Sequence, residues 1–253
     1  MPCFCIDLDG TLYKGSQPIK HATEFLDTLR TRNIKHIALT NCPERSAKGV
    51  SDRLKAMGIT VAPENVLSAG MTAASMLKDK GINAVYVLGS DALKRECTSR
   101  GIEVRDHDVQ AVLVGYYTDF CYDHLKTACM LALEGAELFC TNPDNTIPQG
   151  NTFIPHSGAI AAALECATGK RCVYIGKPGT HMLKDAIEIM SCNKEDIYMV
   201  GDRLDTDIMF GINCGVKTCL VLTGTTTRQM VDNSDIKPDY IFEDLAELSR
   251  TLL

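Results

Sequence analysis

Several features that would place this chain in other protein classes are missing from its 253 residues. No apolar run reaches the length of a membrane-spanning helix, and the N-terminus lacks the basic and long apolar stretches of a secretory signal. Basic residues are not in excess, since the formal net charge is -6, which argues against nucleic acid or an anionic membrane as a partner. We therefore expect a cytoplasmic globular protein with no nucleic-acid or membrane partner.

Common cofactor and metal motifs are missing as well. There is no G-x-x-x-x-G-K-[ST] loop and no G-x-G-x-x-G fingerprint, so nothing supports a nucleoside triphosphate or dinucleotide cofactor. There is no C-x-x-C pair, and no C-x5-R phosphatase loop surrounds Cys42, so we do not predict a cysteine nucleophile. The chain has twelve cysteines but is too long to need a disulfide scaffold. We predict reduced cysteines that serve as small hydrophobic side chains.

Apolar strand-like runs alternate with segments of helical periodicity along most of the chain. Such alternation is typical of a parallel sheet covered by helices. There is no linker rich in proline or glycine, so a second domain would be an insertion. We predict strands at residues 3–8, 36–40, 84–88, 111–115, 137–141, 172–175, 197–200 and 217–222, and helices at residues 22–31, 47–57, 72–80, 124–134, 157–168, 180–190 and 206–214.

Polar or charged residues follow four of these apolar runs directly. Because the carboxyl ends of parallel strands meet at one edge of a sheet, we expect the four segments to come together. They would contribute several carboxylates, a hydroxyl, an amide and an ammonium group. The segments are Asp7-Leu8-Asp9-Gly10-Thr11, Leu39-Thr40-Asn41, Gly176-Lys177-Pro178 and residues 201–207.

This set of groups fits phosphoryl transfer. Two carboxylates as close as Asp7 and Asp9 are costly to bury unless a cation or a reaction uses them. A phosphate dianion repels a carboxylate nucleophile, so a divalent cation such as Mg²⁺ is needed between the two. A second carboxylate can move the proton, while a lysine and a hydroxyl stabilise the phosphoryl oxygens.

In order and over most of the chain, these segments resemble the four motifs of the haloacid dehalogenase-like superfamily. The resemblance is greatest to the NagD-like phosphatases of subfamily IIA. The motifs that carry it are Asp-x-Asp-Gly-Thr-Leu-Tyr, Val-Gly-Asp-Arg-Leu-Asp-Thr-Asp-Ile and Thr-Asn-Pro-Asp at residues 141–144. The resemblance implies an α/β fold with a Rossmann-like core and its parallel sheet at residues 1–80 and 175–253. It also implies an inserted α/β cap of the C2 type at residues 81–174, which would set substrate specificity.

The same resemblance implies the catalytic roles. Asp7 would be the nucleophile and a Mg²⁺ ligand, and Asp9 the general acid and base with its backbone carbonyl on the metal. Asp202 would be the metal's further carboxylate ligand. Lys177 would neutralise the nucleophile and bind the phosphate, and Asp207 would act through metal-bound water or through Lys177. An acid at position 9 favours an oxygen leaving group, because dehalogenases of this superfamily lack it.

The resemblance also implies the substrate contacts. Gly10, Thr40 and Asn41 would bind the phosphoryl group, and Asn142 and Asp144, which follow a cap strand, would face the substrate. The expected substrate is a small phosphomonoester: a sugar phosphate, a nucleoside monophosphate, phosphoglycolate, pyridoxal phosphate or p-nitrophenyl phosphate. Two alternatives stay open, a phosphotransferase with the same intermediate and a non-catalytic phospho-ligand-binding protein. A homodimer is also compatible with the family.

Overall fold

A computed structural model describes residues 1–149 and 152–253 of the chain. These residues form two compact units, one comprising residues 1–40, 47–67 and 177–253 and the other residues 41–46 and 68–176. The chain passes between the units four times, so neither unit is a single continuous segment. In the part of the chain that is described, no helix is long and apolar enough to cross a membrane.

Strands and helices alternate through both units. The strands are β1 (Cys3–Ile6), β2 (Tyr13–Lys14), β3 (Gln17–Pro18), β4 (His36–Thr40), β5 (Val66–Ser68), β6 (Ala84–Leu88), β7 (Glu103–Val104), β8 (Ala111–Val114), β9 (Glu137–Cys140), β10 (Thr146–Gln149), β11 (Thr152–Pro155), β12 (Val173–Tyr174), β13 (Ile197–Gly201), β14 (Lys217–Val221) and β15 (Tyr240–Phe242). The α-helices are α1 (Ala22–Thr31), α2 (Ala47–Ala56), α3 (Ala69–Asp79), α4 (Asp91–Ser99), α5 (Tyr122–Leu133), α6 (Ser157–Thr168), α7 (Met182–Met190), α8 (Met209–Cys214), α9 (Arg228–Asp232) and α10 (Leu245–Leu252).

The first unit is built on a sheet with the strand order β15-β14-β13-β1-β4-β5. Strand β1 pairs in parallel with both β13 and β4, and all four of its residues are buried. An uninterrupted apolar run suits a strand that is covered on both faces. The strand order reverses between β1 and β13, and open α/β sheets bind ligands in the crevice at such a reversal.

Helices cover both faces of this sheet. On one face Phe25, Leu26 and Leu29 of α1 join a cluster of buried side chains around Phe4, and the rings of Phe4 and Phe25 meet edge to face at 6.0 Å. A smaller buried cluster includes Ile208, which belongs to a π-helical turn at Leu204–Ile208. Apolar side chains therefore pack against this sheet from both of these clusters.

The second unit has its own parallel sheet, with the strand order β12-β9-β8-β6-β7. Buried residues of α3 and α4, among them Leu77 and Leu93, pack in one apolar cluster on this sheet. Residues of α5 and α6, among them Leu131 and Leu164, pack in another. Strands β10 and β11 form an antiparallel hairpin outside the sheet.

The predicted mixed α/β fold with parallel sheets is confirmed. The bounds predicted for α1, β4, β6 and α6 are those observed. The strands absent from the prediction are short, such as the hairpin β2–β3 with two residues a side, and two-residue strands carry too little alternation to be recognised. The helices absent from it are α4, α9 and α10.

The compact units divide the chain differently from the predicted domain boundaries at residues 81 and 174. Residues 41–46, 68–80 and 175–176 group with the second unit, because α3 packs on the second sheet through buried residues such as Ala73 and Leu77. The assignment of residues 81–174 as the inserted domain stays a prediction. The cysteines are all free, as predicted, and burial raises the pKa of thiols such as that of Cys172, to about 12.

Candidate active site

Two aspartates lie side by side at the point where the strand order of the first sheet reverses. Asp7 follows β1 and Asp202 follows β13, and these strands pair with Ile6 opposite Val200. The backbone N–H of Asp7 donates to the carbonyl of Val200 at 2.8 Å, which extends the strand pairing by one residue toward the carboxyl edge of the sheet. Carboxylate oxygens of Asp7, Asp202 and Asp207 lie within 4.8 Å of one another. The sheet register therefore brings together carboxylates that are far apart in sequence.

A buried lysine lies among these carboxylates. The Nζ atom of Lys177 is 2.6 Å from Asp7 Oδ1 and 2.7 Å from Asp207 Oδ1, and it also donates to the carbonyl of Leu39 at 3.1 Å. Burial opposes the charge on Lys177, but Asp207 and Asp7 outweigh it and hold its pKa above the ordinary value. Lys177 is therefore favoured as a cation, and it contacts two of the three carboxylates.

The cluster carries more negative than positive charge. Three carboxylates surround one ammonium group, so two negative charges are uncompensated when all the groups are ionised. Burial raises the pKa of Asp7 well above its usual range, with Asp207 adding to this effect and Lys177 opposing it. Burial also raises the pKa of Asp202 to about 6, although hydrogen bonds from Thr225 act to lower this pKa. A divalent cation would compensate the excess charge.

The donor set fits such a cation. Asp202 Oδ2 accepts a hydrogen bond from the N–H of Thr225 at 2.6 Å, whereas Asp202 Oδ1 is buried and accepts none from the described residues. A buried carboxylate oxygen without a partner is costly. Carboxylate oxygens are the ligands that Mg²⁺ prefers, so Asp202 Oδ1 has the chemistry and the free lone pairs of a metal ligand.

Two glycines let the backbone approach the Asp202 carboxylate. Gly10 has a φ of +92°, a conformation that side-chain-bearing residues rarely adopt. A β-carbon at Gly10 or at Gly224 would overlap the carboxylate of Asp202. The predicted importance of Gly10 thus has a steric basis in addition to any contact with phosphate.

Asp9 differs from Asp7 in its surroundings. It is exposed where Asp7 is buried, and its turn is closed by a hydrogen bond from the N–H of Gly10 to the carbonyl of Tyr13 at 2.7 Å. Loss of water around its carboxyl raises the pKa of Asp9, while Arg53 and Lys14 oppose that shift. The two carboxyls of the first segment therefore suit different tasks.

The four predicted segments do not all follow strands of one sheet, and the expectation was wrong on this point. Strands β1, β4 and β13 belong to the first sheet, but the strand before Lys177 is β12, which pairs with β9 in the second sheet. Lys177 reaches the carboxylates because it is the first residue after the chain returns to the first unit. Thr40 is buried at the end of β4, the last residue before the chain leaves.

The remaining predicted substrate contacts lie in a polar network of the second unit. The Nδ2 atoms of Asn41 and Asn142 both donate to Asp144 Oδ2, at 2.9 Å and 2.7 Å. Asn142 also lies 3.0 Å from Nδ1 of His156, whose ring stacks on Tyr116 with centroids 4.7 Å apart. These side chains bind one another, so their contact with a substrate stays a prediction.

His156 is a further member of this network. It is buried, and burial lowers its pKa despite the opposing charge of Asp144. Its Nδ1 accepts from the amide of Asn142, and an accepting nitrogen carries no proton. In that tautomer Nε2 carries the proton, and His156 takes part in the network through Nδ1.

One segment of the site has no counterpart among the predicted site residues. Residues 223–227, which we call the threonine loop, follow β14 and contact the site through Thr223, Gly224 and Thr225. The strand before the loop was predicted, and the loop stands after it just as Asp7 stands after β1. That position was the available signal, but threonine and glycine have no titratable group to mark them as functional.

Comparison with known proteins identifies the family. Residues 4–103 match the family model described as haloacid dehalogenase-like hydrolase, and residues 174–248 match a second, HAD-hydrolase-like model. The chain is 36% identical over 251 residues to an acid sugar phosphatase of Staphylococcus saprophyticus, covering 98% of this chain and 97% of the relative.

Solved structures agree with this match. NagD of E. coli superposes with a TM-score of 0.92 at 29% identity, covering 98% of both chains. The 4-nitrophenylphosphatase of Thermotoga maritima superposes with a TM-score of 0.95 at 32% identity, covering 100% of this chain and 98% of the other.

A third solved structure contains the metal that the donor set suggests. The glycerol phosphate phosphatase of Mycobacterium tuberculosis, in complex with magnesium, has a TM-score of 0.92 at 30% identity and covers 99% of this chain and 78% of its own. Sequence and structure thus agree over nearly the whole chain, and the predicted resemblance is confirmed. The chain belongs to the haloacid dehalogenase-like hydrolases, as a phosphatase of the NagD-like branch.

Proposed function

We propose that this phosphatase hydrolyses small sugar or polyol phosphates with the help of Mg²⁺ and through an aspartyl-phosphate on Asp7. The observation that carries the proposal is the contact of Lys177 with Asp7 and Asp207 beside the unpartnered oxygen of Asp202. Relatives named acid sugar phosphatase and glycerol phosphate phosphatase support the substrate class.

Asp7 is suited to attack phosphorus with one particular oxygen. Lys177 occupies Asp7 Oδ1 at 2.6 Å, whereas Oδ2 has a long contact of 3.4 Å with the hydroxyl of Thr11. In the first step Asp7 Oδ2 bonds to phosphorus and the bond to the leaving oxygen breaks. Asp9 donates its proton to that oxygen, so that an alcohol leaves rather than an alkoxide.

Water completes the reaction in the second step. Asp9, now ionised, takes a proton from the attacking water, the bond between phosphorus and Asp7 breaks, and inorganic phosphate leaves with the carboxylate restored. Asp7, Asp202 and the backbone carbonyl of Asp9 would hold Mg²⁺, which supplies charge to the phosphoryl oxygens and screens them from the carboxylates. Asp207 holds Lys177 at 2.7 Å and is itself held by the N–H of Arg203 at 3.1 Å.

Residues at or after the ends of β1 and β4 would also bind the phosphoryl group. Gly10 contributes backbone where a side chain would collide with Asp202. Thr40 contributes a hydroxyl at the end of β4, next to the residue whose carbonyl accepts from Lys177. Asn41 would contribute its backbone, because its side-chain amide is directed at Asp144.

The test measures phosphate release from p-nitrophenyl phosphate, hexose phosphates, glycerol phosphate, nucleoside monophosphates and phosphoglycolate. With Mg²⁺ and no added acceptor, we expect free phosphate from the wild type, and a loss of about 10⁴-fold or more in Asp7→Asn. Folding of the variant is checked by circular dichroism. Strict dependence on an acceptor alcohol would instead assign a phosphotransferase, and turnover that survives chelation of Mg²⁺ would remove the metal from the proposal.

The covalent intermediate can be observed directly. Asp9→Asn should still be phosphorylated by p-nitrophenyl phosphate, since nitrophenolate leaves without a proton, but should hydrolyse the intermediate slowly. Mass spectrometry after an acid quench should then find one phosphoryl group on the peptide that contains Asp7. The double variant Asp7→Asn/Asp9→Asn provides the blank.

A further inference from the structure

The threonine loop, residues 223–227, has no role in the proposed mechanism, yet it contacts two parts of the active site. It follows β14 at the carboxyl edge of the first sheet and precedes α9. Its sequence is Thr-Gly-Thr-Thr-Thr, which offers hydroxyls and backbone N–H groups but no charge. These groups can hold other parts of the site in place through hydrogen bonds.

The first set of contacts made by the threonine loop holds Asp202. The N–H of Thr225 donates to Asp202 Oδ2 at 2.6 Å, and the N–H of Thr226 donates to the Asp202 carbonyl at 3.3 Å. Gly224 lets the loop backbone lie directly against the carboxylate. These contacts occupy one carboxylate oxygen and leave the other, Oδ1, buried and without a hydrogen bond from the described residues.

The other contact fixes the turn that carries Asp9. The hydroxyl of Thr223 donates to the carbonyl of Gly10 at 2.8 Å. The N–H of Gly10 is already bound to the carbonyl of Tyr13, so hydrogen bonds hold both polar groups of the residue that directly follows Asp9. Gly10 has a φ of +92° and no side chain of its own to anchor it.

We propose that Thr223 is a positioning residue for Asp9, and that the threonine loop fixes the proton-carrying Asp9 relative to Asp202. The inference rests on the proposed function. Thr223 contacts neither the substrate nor a reacting atom in this assignment, and it acts through the Gly10 carbonyl. Proton transfer requires the donor and acceptor within about 2.6–3.2 Å, and a displacement of about 1 Å can reduce a rate about a hundredfold.

The consequence is a selective defect. A loosened Asp9 should impair the first step when the leaving group needs a proton, and much less when it does not. A variant that merely weakens the fold, or displaces Asp202, should affect both kinds of substrate alike. The dependence of kcat/KM on the leaving group therefore separates a positioning role from a structural one.

The decisive variant is Thr223→Val, which keeps the shape of the side chain and removes the donor. We expect kcat/KM for glycerol phosphate to fall about tenfold and that for p-nitrophenyl phosphate to fall less than about threefold. Thr223→Ser restores the hydroxyl and should restore both values. Thr223→Ala provides a second test if the valine variant does not fold.

A matched control lies in the same loop. The Thr227 hydroxyl accepts from the N–H of Met230 and caps α9, so Thr227→Val removes a hydrogen bond without touching Gly10. It should lower the melting temperature and leave the ratio of the two kcat/KM values unchanged. Equal losses on both substrates in Thr223→Val, matching those in Thr227→Val, would overturn the inference.

An Asp9→Asn background completes the test. If Thr223 acts through Asp9, Thr223→Val should cause no further loss of p-nitrophenyl phosphate turnover in that background. A further tenfold loss there would also overturn the inference. If the wild type hydrolyses neither substrate, or Asp9→Asn is fully active on glycerol phosphate, the proposed function fails instead, so the two failures are distinguishable.

Discussion

The two units share an architecture, but the reversal points of their sheets have opposite contents. In the first unit the crevice between β1 and β13 holds carboxylates and a buried lysine. In the second unit the strand order reverses between β6 and β8, and apolar side chains fill the space. A β-carbon at Gly115, just after β8, would lie 2.6 Å from Leu93 and 3.7 Å from Pro43.

The difference shows that a parallel sheet offers a place for a site without making one. Small residues at the strand ends of the second unit, Gly89 and Gly115, let the side chain of Leu93 from α4 pack directly against the backbone there. At the corresponding place in the first unit, Asp7 and Asp202 follow the strands, and the side chains packed there are carboxylates and a lysine. Function therefore depends on the side chains placed on the sheet, and not on the sheet itself.

The largest expected effect comes from removing the charge balance of the first crevice. Lys177→Met leaves Asp7 and Asp207 without their ammonium partner, and we expect kcat/KM for p-nitrophenyl phosphate to fall about 10³-fold. The matched control is Lys80→Met, which breaks an exposed ion pair with Glu137 in the second unit and should leave activity within about twofold. Retention of a tenth of the activity in Lys177→Met would contradict the assigned role.

The second crevice should respond in stability and not in chemistry. Leu93 is fully buried, so Leu93→Ala should lower the free energy of unfolding by about 2–5 kcal/mol, as followed by urea denaturation. Leu133 is exposed, and Leu133→Ala should cost little. A large rise in KM for the folded Leu93→Ala protein would show that this crevice takes part in substrate binding after all.

Mg²⁺ should stabilise the chain through the first crevice. At a concentration about 100 times its Kd, a ligand that binds only the folded state raises the free energy of unfolding by about 2.7 kcal/mol. Thermal melts with MgCl₂ and with NaCl of equal ionic strength measure this difference. Asp202→Asn should remove most of it, and an undiminished shift in that variant would argue for a Mg²⁺ site elsewhere.

The smallest expected effect concerns the polar network of the second unit. If Asn41 acts mainly through its hydrogen bond to Asp144, then Asn41→Ala and Asp144→Ala should each reduce kcat/KM a few-fold. The kcat/KM of the double variant should then be no lower than that of the less active single variant. The coupling free energy would be about 1 kcal/mol. Additive losses would instead indicate that the Asn41 side chain binds the phosphoryl group directly.

The sequence predicts the position of a residue in the fold best where that position follows from a local pattern. Asp7 and Asp202 stand directly after buried apolar runs, so the strand ends place them at one edge once the sheet is parallel. Glycines after helices follow a local pattern too: Gly58, Gly169 and Gly215 follow α2, α6 and α8 and have positive φ, a conformation common at the end of a helix.

Prediction was weaker where a residue's partner lies far away in sequence. Nothing local to Lys177 shows that the strand before it pairs in the other sheet. Nothing local to Asn41 shows that its amide is directed at a carboxylate 103 positions later. The sequence did not point to the threonine loop for the same reason, since the hydroxyl of Thr223 donates to the Gly10 carbonyl, 213 positions away.

The sequence by itself determined the α/β class and the family, and it predicted the set of candidate catalytic side chains, because periodicity, strand ends and motif sequences are properties of neighbouring residues. Only the tertiary structure decided which carboxylate oxygens are held by Lys177 and Thr225, and that Leu93 packs into the second crevice. The physical reason is that hydrogen bonds and close packing depend on distances of a few ångströms between distant segments. Those distances arise from strand order and register, which neighbouring residues alone do not specify.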